Sequence, residues 1–279
     1  MVVSLDAQQQ RSIDEIVLLL EGRRFAVLTG AGVSTDSGIP DYRGEGAPVR
    51  SPMSISQFLD DPAYRARYWA GGHLGWQRFS TIAPNAGHRA LARLEAAGHA
   101  NGVVTQNVDG LHVRAGSLRV VDLHGSMSRV RCLRCGQSFA REAIAEAISA
   151  ANPWLQTTDD VRLNPDGDVE VDDISRFTVP GCSVCGGMLK PEVVYFGELV
   201  PRDRFEAAAA IVAGAEAVLV AGSSLVVNTG IRLVEQARRS GKPVVIINRG
   251  PTRWDARADH KLDAGTSETL TELAGRLIR

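Results

Sequence analysis

The chain has 279 residues, 44% hydrophobic and 23% charged, which is the make-up of a folded globular protein and excludes a chain disordered throughout. Its formal net charge of -1 supplies no concentrated positive field, so neither nucleic acid nor a membrane surface is expected as a partner. No apolar run nears the roughly 18 residues of a spanning helix, and the Gln-bearing start has neither a signal-peptide core nor an Arg- and Ser-rich leader, so a cytoplasmic protein is expected.

Apolar spacing predicts a helix at residues 13–20, and the short apolar run at 25–29 reads as a buried strand. Residues 30–38 are small and polar, as in a loop that joins a strand to a helix and holds a phosphate. Gly30-Ala31-Gly32 allows a tight bend and lets N–H groups approach a pyrophosphate, but Thr35 stands where a third Gly would complete the dehydrogenase pattern. An ordinary dehydrogenase is therefore disfavoured, and a tight turn without ligand is the other reading. Residues 42–79 carry Pro, Gly and a concentration of aromatics, among them Tyr64, Tyr68, Trp69, Trp76 and Phe79, without strand alternation; they read as a helical insertion. A helix at 84–98 and a buried strand at 102–105 follow, and that strand runs into Gln106-Asn107-Val108-Asp109. Another strand, 119–123, leads to His124, whose ordinary pKa suits a general base near neutral pH. A lone His at a strand end is more often structural, and Asn107, Asp109 and His112 are equally open to being turn-formers or caps.

Cys132, Cys135, Cys182 and Cys185 form two C-x-x-C pairs, unlike a secreted disulfide framework. Each pair can bring two thiolates to one ion, and four thiolates complete a tetrahedral structural zinc site with no open position. The interval between them, 136–181, is longer than in common zinc ribbons, and buried reduced cysteines are the alternative. It holds a predicted helix at 141–150 and an acidic, turn-rich loop, Asn164-Pro165-Asp166-Gly167-Asp168. Strands at 217–221 and 244–247 run into Gly222-Ser223-Ser224 and Asn248-Arg249-Gly250, with a helical stretch near 230–239 between them. Strands alternating with helices argue for an α/β protein with a parallel sheet wound on both faces, which binds ligands at the carboxyl ends of its strands. Four predicted strands end there in small or amide-bearing residues, so one shared cleft is expected.

In order along the chain, Thr29-Gly30-Ala31-Gly32-Val33-Ser34, Ser37-Gly38-Ile39-Pro40-Asp41-Tyr42-Arg43, Thr105-Gln106-Asn107-Val108-Asp109-Gly110-Leu111-His112, Leu123-His124-Gly125, both cysteine pairs, Gly222-Ser223-Ser224-Leu225 and Asn248 resemble the sirtuin family. The resemblance spans nearly the whole chain. It implies a Rossmann-like, doubly wound NAD-binding domain of residues 1–41, 80–128 and 192–279, a helical insertion at 42–79 and a smaller zinc-binding module at 129–191. NAD is implied as a consumed co-substrate, with one structural Zn2+ and acyl-lysine proteins or peptides as substrates.

By the same resemblance, Gly30, Ala31, Gly32 and Ser34 hold the pyrophosphate, Gly222, Ser223 and Asn248 the adenosine side, and Gln106 the nicotinamide ribose. Asp41, Arg43, Ser224, Arg249, Gly250 and Thr266 are further cofactor contacts. Ile39, Asn107 and Asp109 form the nicotinamide pocket, and Tyr42, where many relatives have Phe, shields the ribosyl cation from water. The implied reaction begins when the acyl-lysine oxygen displaces nicotinamide to give an imidate. His124, with Asn107 the implied catalytic pair, then deprotonates a ribose hydroxyl that attacks the imidate carbon, and water releases lysine and O-acyl-ADP-ribose. Val193, Phe196, Gly197 and Glu198 are implied to receive the peptide as an added strand. The long cysteine interval, Asn164-Pro165-Asp166-Gly167-Asp168, Arg67-Tyr68-Trp69-Ala70 and Gly250-Pro251-Thr252-Arg253 resemble the class II branch, which includes mitochondrial sirtuins of lipoamidase and ADP-ribosyltransferase repute. Protein mono-ADP-ribosyl transfer, or non-catalytic sensing of NAD or ADP-ribose, are the other functions. Sirtuins that prefer succinyl or malonyl groups carry Tyr-x-x-Arg in the insertion; here Gly71 stands three residues after Tyr68, so that preference is not implied.

Overall fold

A computed structural model describes residues 5–44, 53–155, 163–171 and 173–278. Residues 1–4 of the N-terminal reading, 45–52 of the helical insertion, and 156–162 and 172 of the zinc module lie outside the described residues.

Helix α1 (Ala7–Leu20) starts at Asp6, whose carboxylate accepts from the Gln8 and Gln9 N–H groups, each at 2.8 Å. Then come β1 (Phe25–Thr29), α2 (Ile55–Asp60), α3 (Pro62–Phe79), α4 (Ala86–Ala96), β2 (Ala100–Thr105), the single turn α5 (Leu111–Arg114) and β3 (Val120–Asp122). The cysteine-bearing part contains β4 (Gly125–Cys132), β5 (Ser138–Ala140), α6 (Arg141–Ala151) and β6 (Leu189–Val193). The chain closes with α7 (Arg202–Ala213), β7 (Ala217–Ala221), α8 (Asn228–Arg239), β8 (Val244–Ile247), β9 (His260–Leu262) and α9 (Thr266–Leu277).

Six strands form a sheet in the order β3-β2-β1-β7-β8-β9, and every neighbouring pair in it is parallel. Side chains alternate across it. Phe25 and Val27 of β1 join Ile16, Leu91 and Leu273 on the face covered by α1, α4 and α9. Ala26 and Leu28 join Ile211 and Leu233 beneath α7 and α8 on the other face. Burying a large apolar side chain in this way stabilises the fold by roughly 1.5–3 kcal/mol.

Three features depart from the sequence reading. No α-helix opens after β1: residues 31–33 and 35–37 form two 3₁₀ turns, and Gly38, at φ 92°, sends the chain away. With Gly30, Gly32, Gly38 and Pro40 so close together, a longer helix would carry too many breakers. The sheet also gains a sixth strand, β9, and the small module holds its own antiparallel sheet, ordered β5-β4-β6.

The helical insertion and the module share a second core that includes Phe58, Tyr68, Trp69, Trp76, Ile144 and Leu189. Arg141 is wholly buried there, its guanidinium 4.9 Å from the Trp69 ring centre and 5.7 Å from that of Trp76, and it donates to the Gly72 carbonyl at 2.8 Å. The loop at 163–169 lies directly on α3: a Cβ on Gly71 would come within 2.2 Å of the Val169 oxygen, and one on Gly75 within 2.0 Å of the Gly167 oxygen. Backbone therefore fills the place beside Gly71 where a side chain would otherwise stand. Among the described residues no helix is long and apolar enough to cross a membrane.

Candidate active site

The carboxyl ends of β1, β2, β7 and β8 converge. Pairing continues past the strands, with Gln106 N–H donating to the Thr29 carbonyl at 2.9 Å, Gly222 N–H to Ile247 at 2.9 Å and Asn248 N–H to Leu262 at 3.1 Å. Loops that leave neighbouring parallel strands are thereby held side by side. Between the first and the third the backbones touch: Gly32 N–H donates to the Gly222 carbonyl at 2.9 Å, and a Cβ on Gly32 would lie 2.9 Å from Gly222 Cα. Gly222 itself takes φ 63°, a left-handed conformation that glycine adopts without strain.

Above these loops lies a cavity of about 1220 Å³, bounded by both cores. Every cofactor- and substrate-contact residue expected from the sequence lines it, from Gly30 on β1's loop to Thr266 at the start of α9 and from Val193 to Glu198 on the opposite side. Thr266 is anchored by its hydroxyl, which donates to the Gly32 carbonyl at 3.2 Å. Arg249 is three-quarters exposed at the rim and lies 3.9 Å from Glu268. Tyr42 reaches across the cavity and donates a hydrogen bond to Asp166, tying the segment after β1 to the module's inserted loop. Burial, and then Asp166, hold that phenol well above its ordinary pKa.

His124 lies at the end of β3, where the chain turns into β4. Its Nδ1 is 3.0 Å from the Gln106 carbonyl oxygen, which can only accept, so Nδ1 carries the proton and Nε2 presents its lone pair. Nε2 lies 2.9 Å from the hydroxyl of Thr229, a cavity residue the sequence reading missed. Its only signal was a hydroxyl just inside the helix that follows Gly222-Ser223-Ser224-Leu225. Burial pushes the imidazole pKa below its ordinary value; the Gln106 carbonyl opposes that shift and the Arg204 guanidinium adds to it. A neutral ring at neutral pH is able to accept a proton.

Asn107 donates to the Gly30 carbonyl at 3.1 Å and to the Ser34 hydroxyl at 3.0 Å, and Ser34 donates to Asp109 at 2.7 Å. Burial raises the Asp109 pKa, while the Leu111 N–H, Ser34 and Asn107 act the other way. These side chains join the β1 and β2 loops into one polar wall, beyond what turn-forming requires. His112 is a core histidine: fully buried, with Nε2 2.9 Å from the Thr29 hydroxyl and its ring tilted against that of His88, the centres 4.8 Å apart. Gln106 accepts from Ser223 at 2.7 Å, which links β2 to the β7 loop.

The four cysteines meet away from this cavity. Their Sγ atoms all lie within 4.8 Å of one another, with Cys132–Cys185 at 3.5 Å and Cys135–Cys182 at 3.8 Å. Thiolates tetrahedral about zinc at a Zn–S distance of about 2.3 Å stand about 3.8 Å apart, so the residues fit one structural zinc ion. Each C-x-x-C is followed by a glycine in the left-handed region, Gly136 at φ 75° and Gly186 at φ 71°, whose N–H closes the turn on the Cys132 or Cys182 carbonyl.

A parallel α/β sheet with a polar cleft at its strand ends and a four-thiolate metal site defines a nucleotide-binding enzyme fold with a stapled module. A model of the Sir2 family matches residues 30–229. The chain is 52% identical to the NAD-dependent protein deacetylase 1 of Mycobacterium avium, over 94% of this chain and 95% of that protein. It is 44% identical to the NAD-dependent protein deacylase Sirt4 of Drosophila melanogaster, over 91% and 84% respectively. The solved Sir2–p53 peptide–NAD+ complex is similar with a TM-score of 0.73 and 32% identity, over 95% of this chain and 97% of that one. The chain belongs to the Sir2 family.

Proposed function

We propose that this chain is an NAD-dependent protein-lysine deacylase that releases nicotinamide and O-acyl-ADP-ribose. One observation carries the reading: a neutral imidazole, fixed through Nδ1 on the Gln106 carbonyl, turns Nε2 into a cavity floored by glycine backbones at converging strand ends. The glycine floor and Ser34 receive the pyrophosphate, because N–H groups approach an anion there without side chains in the way. Gly222, Ser223 and Asn248 face the adenosine end, and Gln106 the nicotinamide ribose. Ile39, Asn107 and Asp109 grip the nicotinamide, and Tyr42 covers the sugar that loses it. His124 takes the proton of the ribose hydroxyl that attacks the acyl carbon. The substrate peptide lies along residues 193–198, and the zinc ion, when bound, holds the module's two knuckles together without entering the reaction.

The insertion at 42–79 and the module at 129–191 act as a small domain over the NAD-binding remainder, with the cleft between them. A cytoplasmic site of action suits cysteines arranged for metal and not for disulfides. Placement in the class II branch is supported by the long 136–181 interval and the Drosophila relative, and would bring protein ADP-ribosyl transfer into range. The test is mass spectrometry of products from an acetyl-lysine peptide, NAD and the protein. O-acyl-ADP-ribose is expected; ADP-ribose attached to protein in its place would favour transfer, and intact NAD would leave only the sensor.

A further inference from the structure

His124 is held at both ring nitrogens. The Gln106 carbonyl lies 3.0 Å from Nδ1, so the group on Nε2, the Thr229 hydroxyl at 2.9 Å, donates to the lone pair of the neutral ring. Thr229 stands in the first turn of α8 and lines the cavity beside His124. A hydroxyl can serve an imidazole in both protonation states. It donates to the bare nitrogen, and it accepts from the N–H that replaces the lone pair. An apolar side chain could do neither, and a carboxylate would favour the charged ring and spoil the base.

We propose that Thr229 is a positioning residue for the base: it holds Nε2 toward the sugar site before proton transfer and accepts the Nε2–H bond afterwards. This rests on the deacylase reading above. As the ribose oxygen bonds to the acyl carbon, its proton passes to Nε2, and the nitrogen lone pair becomes an N–H bond. Thr229, which had given way to the sugar hydroxyl, returns as acceptor, so the same two atoms face each other with donor and acceptor exchanged. Help is required at this nitrogen, because burial and Arg204 on α7 both oppose the charged ring and the amino end of α8 carries positive dipole charge as well.

Thr229→Val keeps the shape and removes the hydroxyl; Thr229→Ala does so without a β-branch should valine disturb the helix turn, and Thr229→Ser restores it. Nicotinamide is lost before the base acts, so exchange of labelled nicotinamide into NAD, with acyl peptide present, reports the earlier step. Formation of O-acyl-ADP-ribose reports the later one. The expected result is a fall of about tenfold in kcat for product in T229V and T229A, with exchange and the KM for NAD within about twofold of the parent and most of the rate recovered in T229S. Product formation undiminished in both hydroxyl-free variants, or exchange falling in parallel with it, would overturn the role of Thr229. A parent protein that neither exchanges nicotinamide nor forms product would instead overturn the deacylase reading.

Discussion

In the six-stranded sheet, β1, β2, β7 and β8 are buried along their full length, while β4, the longest strand of the small sheet, leaves Ser128, Arg129 and Arg131 exposed and β5 is nowhere fully buried. The first region can stand on apolar burial alone, with helices over both faces. The second has helices and aromatics along one side and four thiolates at its far end. One sheet is held by area removed from water and the other needs a metal as well, so the same insult should separate them.

Metal removal is the strongest way to break that contrast. Structural zinc sites of this kind are worth on the order of 10 kcal/mol in apparent binding energy. Chelation, or Cys132→Ala, is expected to strip hydrogen-exchange protection from β4 to β6 while β1 and β7 keep theirs. Loss of protection in both sheets together, or in neither, would show that the two regions are not independently held. On the other side, His124→Ala is expected to lower product formation by roughly 10²- to 10⁴-fold while NAD binding, read by calorimetry, persists. Near-parental turnover would remove the imidazole from the chemistry.

Acid probes the large region through a pair of buried histidines. Burial, and then Arg89, lower the His88 pKa to about 4, and burial with His88 nearby holds His112 well below its ordinary value. The unfolded chain takes up the His88 proton near pH 6.5, whereas the native chain resists to about 4. Stability contributed by the neutral ring is therefore complete above pH 6.5 and falls as pH drops towards 4, by up to about 3 kcal/mol. Urea midpoints across this window should track that loss, and flat midpoints would contradict the burial. The smallest effect concerns His124. Its pKa lies below the ordinary imidazole value, so the acid limb of kcat/KM should fall below about pH 6.5; a limb above that would mean that hydrogen bonding to the charged ring, as from the Gln106 carbonyl, outweighs its burial.

Much of this was legible in the residues. Apolar runs such as Phe25 to Thr29 and Val244 to Ile247 read as buried strands because they carry no competing helical spacing, and the paired cysteines signalled their own proximity. One shared cleft was expected because strand-end loops in a parallel sheet meet, and the individual residues that line it were named from the resemblance to the sirtuin family. What was missed has weak local pattern. Strand β9 is only three residues, two of them half-buried, β4 breaks its alternation where its pairing with β6 shifts register, and β5 is short and partly wet. Thr229 gave no sign beyond a hydroxyl at the start of a helix, because its partner lies 105 residues away in sequence and only the sheet's crossing brings them together. The loop at 30–38 does not lead straight into a helix but folds into short 3₁₀ turns, with Gly30 and Gly32 lying against Gly222 and Ser223.

That contact between Gly32 and Gly222 has a further effect on how the enzyme can be altered. Two main chains lie against each other with nothing interposed, so the bottom of the binding chamber has no adjustable part: even one methyl group at Gly32 would collide with Gly222. Any retuning toward a different nucleotide or acyl group has to come from the walls and the lip, on Tyr42, Tyr68, Asp166 and the residues after Val193, while the base of the chamber stays as it is.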